Sequence, residues 1–156
     1  MMIFIFVLTF IIGIAVGSIL IWNFMEKVVL SVEKISEKHA ALFRLMNNWT
    51  RNYQNKKNIS EYLKNNGIST VAIYGLGDVG ETLYNELNAT DVQILYGIDQ
   101  SVDYFCNIPI YKKNDLIPEV DLIIVTAITA YKDIEVELSK KIRCKIISIE
   151  ELVLMI

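Results

Sequence analysis

Hydrophobic and polar positions change their rhythm twice along the chain. Residues 2–22 are apolar without a single charge, interrupted only by Thr9 and Ser18. At 1.5 Å per residue such a run covers roughly 30 Å, the thickness of a hydrocarbon core, and predicts a transmembrane helix. A cleaved secretory leader is the rival reading, with Ala15, Val16 and Gly17 as its processing site. No basic residue precedes the run, and it continues to Met25, which favours an uncleaved anchor. Over 23–57 the rhythm becomes heptad. Met25, Val28, Val32, Ile35, His39, Leu42, Met46, Trp49 and Tyr53 alternate spacings of three and four, with no Gly or Pro among them. This a/d seam predicts a helical stalk that joins copies of the chain as a coiled coil. A single amphipathic helix lying on the rest of the protein, or along the membrane surface, is the alternative. Gly13 and Gly17 add a G-x-x-x-G pair within the apolar run, off the line of the seam.

From residue 58 onward, short β-branched runs alternate with helical periodicity. ISEYLKNNG reads as a short helix closed by Gly67, STVAIYG as a buried strand, and DVGETLYNELN as a helix with Val79, Leu83 and Leu87 inward. DVQILYGID is a second strand ending at Asp99, NIPIY a short extended piece, and DLIIVTA a long apolar strand. YKDIEVELSKKI, CKIISI and EELVLMI follow as helix, strand and terminal helix. This alternation predicts an α/β domain over 58–156, a small parallel Rossmann-like sheet flanked by helices, with right-handed crossovers. Its length suits one mononucleotide-binding half.

Charge narrows the partners. The net charge is -3, and no Lys/Arg stripe interleaves with aromatics, so nucleic acid is not an expected ligand. Cys106 and Cys144 stand far apart and His39 is the sole histidine, which leaves no expected metal site. Lys27, Lys34 and Lys38 follow the apolar run, whereas no Lys or Arg precedes it. The positive-inside rule therefore predicts a single-pass cell-membrane protein, N-terminus out, with its C-terminal domain in the cytoplasm.

The candidate chemistry sits at VAIYGLGDVG. Gly75, Gly77 and Gly80 have the G-x-G-x-x-G spacing, follow a strand and open a helix. In such a turn the first glycine permits the bend and the second lets backbone approach a pyrophosphate. The third lets helix and sheet pack closely, and the helix N-terminus offers N–H groups to the anion. Asp99, nineteen residues beyond Gly80, is placed to accept hydrogen bonds from ribose hydroxyls. Asp78 opposes this: it is placed to cap the helix itself and brings negative charge to the phosphate position. Thr126, with Ala127, Ile128 and Thr129, follows the third apolar strand and would line a crevice at the strand ends. Tyr53 and Lys57 have a Tyr-x-x-x-Lys spacing but precede the first strand, so no catalytic residue is expected.

On the segments AIYGLGDVG, LYGID, NIPIY, NDLIPEVDLIIVTA and KIISIEEL, the stretch 71–148 resembles the small NAD(P)- or CoA-binding-like domain of bacterial polysaccharide-biosynthesis proteins. The resemblance implies that Gly75, Gly77, Gly80 and Asp99 face a nucleotide, either NAD(P) or another. It also implies a protein partner or pathway in envelope polysaccharide synthesis. Relatives of that kind carry their chemistry on an attached domain. The expected function is a membrane-anchored, non-catalytic module that binds a nucleotide or a partner. An enzyme or enzyme subunit acting on a nucleotide-linked sugar, and a scaffold that binds nothing, remain the alternatives.

Overall fold

The computed structural model of the chain describes residues 2–101 and 104–156. Two compact units divide at residue 40, Met1–Ala40 and Ala41–Ile156. One long helix, α1 (Met2–Gln54), supplies the described residues of the first unit and the opening of the second. By length and composition its Gly13–Gln54 portion contains a stretch apolar enough to cross a membrane, and none of that stretch is buried in protein. In the first unit the expected seam positions Met25, Val28, Val32 and Ile35 are exposed.

In the second unit, residues 41–54 of α1 pack onto the α/β domain. Ala41, Leu45 and Trp49 are buried at i, i+4 and i+8, so one face of the helix meets the core. The stretch expected in the stalk is thus continuous with the globular unit, and Trp49 faces the sheet side. Tyr53, its neighbour on the expected seam, is exposed.

The remaining elements are α2 (Ile59–Asn65), β1 (Thr70–Tyr74), α3 (Asp78–Leu87), β2 (Gln93–Ile98), β3 (Ile110–Tyr111), β4 (Leu122–Val125), α4 (Tyr131–Leu138), β5 (Lys145–Ser148) and α5 (Ile149–Met155). A 3-10 turn, Ile128–Ala130, leads into α4. Asn58 caps α2 by accepting from Glu61 N–H, and Ser148 caps α5 by accepting from Glu151 N–H. The five strands are all parallel, in the order β3-β2-β1-β4-β5.

That order corrects the expectation of a single mononucleotide-binding half. Strands β2 and β3 lie on one side of β1, β4 and β5 on the other, so the sheet contains a topological switch point. Very short strands make this compatible with the length: β3 has two residues, and β4 and β5 four each.

Alternation along β1 assigns the two faces. Val71 and Ile73 join Leu122, Ile124 and Ile147 under α3, α5, α2 and the end of α1. Ala72 joins Tyr96, Ile98, Ile123 and Val125 on the opposite face, which α4 covers through Leu138. The β1–β2 register slips between Val71 and Ala72, leaving Leu95 as an extra residue in β2. This bulge sends Ile94 to the first face and Tyr96 to the second, although both lie at even positions.

Candidate functional site

The crevice at a switch point opens where the carboxyl ends of the two diverging strands separate, here β1 and β4. Gly75, Gly77, Asp78 and Gly80 follow β1, and Thr126 follows β4, so the structure brings these sequence-selected residues to one edge. Gly75 N–H donates to Ile98 O at 2.9 Å, and Thr126 N–H donates to Tyr74 O at 2.9 Å. The Thr126 hydroxyl lies 2.6 Å from Gly75 O and 3.1 Å from Tyr74 O, and donates into the turn. Thr126 is therefore a strut of the turn, 7% exposed, rather than an open side chain.

Two of the glycines are required by the fold. Gly75 has φ +92°, and a Cβ there would come within 2.7 Å of the Thr126 hydroxyl. A Cβ on Gly80 would overlap the carbonyl oxygen of Gly75. Gly77 differs. Its φ of -74° suits any residue, and nothing lies within 4 Å of where its Cβ would stand.

Gly77 is also the N-cap of α3, and no side chain caps that helix. The expectation that Asp78 caps α3 is corrected: Asp78 is the first helical residue and makes no capping bond. Its charge still lies in the first turn, with Glu81, where it interacts favourably with the helix dipole. Asp99 does reach the turn. One carboxylate oxygen accepts from Leu76 N–H at 2.8 Å, and the other accepts from Ser101 N–H at 2.8 Å. The acid is thus held against the glycine turn by the turn's own backbone.

Sequence reasoning passed over Leu76 and Gly97. Leu76 is buried, and a Cβ on Gly97 would come within 2.7 Å of its side chain, so the middle residue of the turn plugs into space that a glycine in β2 leaves open. The G-L-G spelling and the lone glycine inside an apolar strand were the available signals. Asp121 was also missed. Its carboxylate accepts from Ser69 N–H, Ser69 hydroxyl and Thr70 N–H, tying the starts of β1 and β4 at the edge opposite the crevice. Those bonds, from Thr70 first, hold its carboxyl down at about 2.

Beside the crevice a cleft of about 420 Å³ runs between the 3-10 turn, the start of α4 and the Ser148–Glu150 corner. Burial first, then the hydrogen bond to Glu135, pushes the Tyr131 phenol there up to about 12. It therefore stays protonated in neutral solution and is no proton acceptor. Of the Tyr-x-x-x-Lys pair, Lys57 donates to Ile156 O and Tyr53 stands in solvent. Among the described residues, no group of three or more His, Cys, Asp or Glu side chains is arranged to hold a metal.

Fold and crevice together define a small doubly wound α/β domain whose glycine turn is braced from both neighbouring strands. The chain belongs to the family described as C2185-like, N-terminal, which matches residues 67–149, slightly more than half its length. The matched stretch begins at Gly67, just before β1, and ends at Ile149 after β5, so it contains the entire sheet. Neither the curated proteins nor the solved structures include a match to the chain.

Proposed function

We propose that this protein is a membrane-anchored module, its α/β unit facing the cytoplasm, that binds a nucleotide over Gly77 and performs no chemistry of its own. The observation that carries the reading is the contrast among the glycines. Gly75 and Gly80 are explained by φ and by packing, whereas Gly77 is explained by neither and leaves the uncapped start of α3 open. Backbone that must approach an anion is a physical reason for glycine at such a position. The lysines after the apolar segment, Lys27, Lys34 and Lys38, support the orientation. Likeness to the small domains of polysaccharide-biosynthesis proteins supports a place in envelope polysaccharide metabolism.

A scaffold that binds nothing is favoured by one observation, the use of the Asp99 carboxylate to hold Leu76 N–H. Replacing Gly77 separates the two readings. Serine at an N-cap supplies the missing acceptor, so Gly77→Ser should stabilise the domain by a few tenths of a kcal/mol or leave it unchanged. The same side chain would stand in the ligand's space. Calorimetry of the full chain in lipid nanodiscs against NAD, ATP, CoA and UDP-glucose should give saturable binding of at least one of them. Gly77→Ser should weaken that binding at least tenfold. Silence with every nucleotide at millimolar concentration would leave the scaffold, and binding unaffected by Gly77→Ser would put the ligand elsewhere.

A further inference from the structure

The first unit carries a charge pattern that the turn and crevice do not use. On α1, Met25, Val28, Val32, Ile35 and His39 fall on one side, and all five are exposed. Phe24 and Val29, also exposed, widen the stripe to roughly 140° of the helix circumference at 100° per residue. Acids and bases are sorted on either side of it. Advancing around the helix from the stripe in one direction reaches Glu33, Glu26 and Glu37. Advancing in the other reaches Lys38, Lys27 and Lys34.

We infer that this stripe is covered by further copies of the same chain, packed parallel and in register. Two helices running the same way place the acidic flank of one beside the basic flank of the next. Running opposite ways, they set acid beside acid and base beside base. A ring of copies can repeat the favourable contact without an unpaired flank, because the contact is head-to-tail around an axis. On the membrane-anchored reading proposed above, the apolar segment before the stripe also aligns copies in one membrane, so association proceeds from an already high effective concentration. A surface-lying helix is disfavoured, since a bilayer surface calls for a basic polar face and half of this one is acidic.

The test uses the full chain in nanodiscs or mild detergent, with Cys106→Ser and Cys144→Ser as background. Ile35→Cys, on the stripe, should form interchain disulfides at least tenfold faster than Glu37→Cys, on the outside. Equal rates, or a monomeric mass by light scattering, would overturn the inference and leave the stripe to a different protein. Orientation is tested by charge. Glu26→Lys, Glu33→Lys and Glu37→Lys together make both flanks basic, and at low salt should weaken assembly roughly tenfold, each exposed pair being worth little by itself. Adding Lys27→Glu, Lys34→Glu and Lys38→Glu exchanges the flanks and should restore it. Assembly indifferent to the first set, or not recovered by the second, would overturn the parallel arrangement. Near-ultraviolet circular dichroism of each variant checks that the α/β unit is intact.

Discussion

Residues 25–39 and 41–54 of α1 use similar side chains in the same helix and meet different surroundings. Ile35 is 55% exposed, whereas Trp49 is 8% exposed and its indole N–H donates to Glu86. Along the first stretch the apolar positions stay uncovered and the charges are sorted to either side. Along the second, Leu45 and Trp49 close against the sheet-covering helices, Ala41 is buried, and Asn52 donates to Val153 O. Helical periodicity reports that a face wants covering; the covering material comes from elsewhere. One apolar face serves as domain core, and the other is the one we propose to be covered by further copies of the chain.

The sharpest way to break that contrast is truncation at matched sites. Trp49→Ala should destabilise the α/β unit by about 3–5 kcal/mol, since it opens a cavity beside Leu45 and removes the indole donor. Ile35→Ala should leave the unit's unfolding within about 0.5 kcal/mol of the parent. Urea denaturation in detergent followed by near-ultraviolet signal measures both, and equal losses would erase the distinction. A smaller effect sharpens it. Glu86 accepts from Trp49 and from Ile59 N–H, so one carboxylate joins α1, α2 and α3. Glu86→Gln keeps one acceptor and should cost about 1–2 kcal/mol, seen as a lower urea midpoint with unchanged slope.

The smallest expected effect is an acid one and belongs to the α/β unit. Asp121 is lowered in the folded protein from 3.8 to about 2 by bonds from Thr70 and Ser69. Its stabilising contribution is therefore complete above the unfolded value near 3.8 and disappears as pH falls toward 2. Asp121→Asn should flatten the decline of stability between pH 4 and 2 and lower the plateau above it. Denaturation midpoints across that range would show an unchanged slope if the carboxylate were not the group responsible.

Much of the α/β unit is legible in the residues because local signals agree there. Gly67 closes α2, β-branched runs mark β1 and β4, and the glycine turn joins β1 to α3 as read. The switch point was not legible, since strand order is a property of long-range pairing and β3 contributes only two residues. The bulge at Leu95 was hidden for a related reason: ILYGI alternates in writing, but the register that decides its faces lies in β1. Trp49 satisfies both the heptad seam and the 41/45/49 face, so spacing alone assigns it to either. At the crevice, the gathering of Gly75, Gly77, Gly80, Asp99 and Thr126 followed from motif and topology. The bracing of the turn by Thr126 and Asp99 did not, because it depends on where hydroxyl and carboxylate point.

The glycines of the turn divide what descent can change. Gly75 is held by its positive φ and the Thr126 hydroxyl, Gly80 by the carbonyl oxygen of Gly75, and Gly97 by the Leu76 side chain it accommodates. On the binding role proposed above, a lineage that abandoned its ligand would still inherit these three. Gly77 has no such custodian, and once nothing approaches α3 it would drift first toward serine, aspartate or asparagine, which cap a helix better. On that proposal the turn keeps a record: the residue at position 77 would register whether a descendant still has something to hold, while its neighbours register only that it still folds.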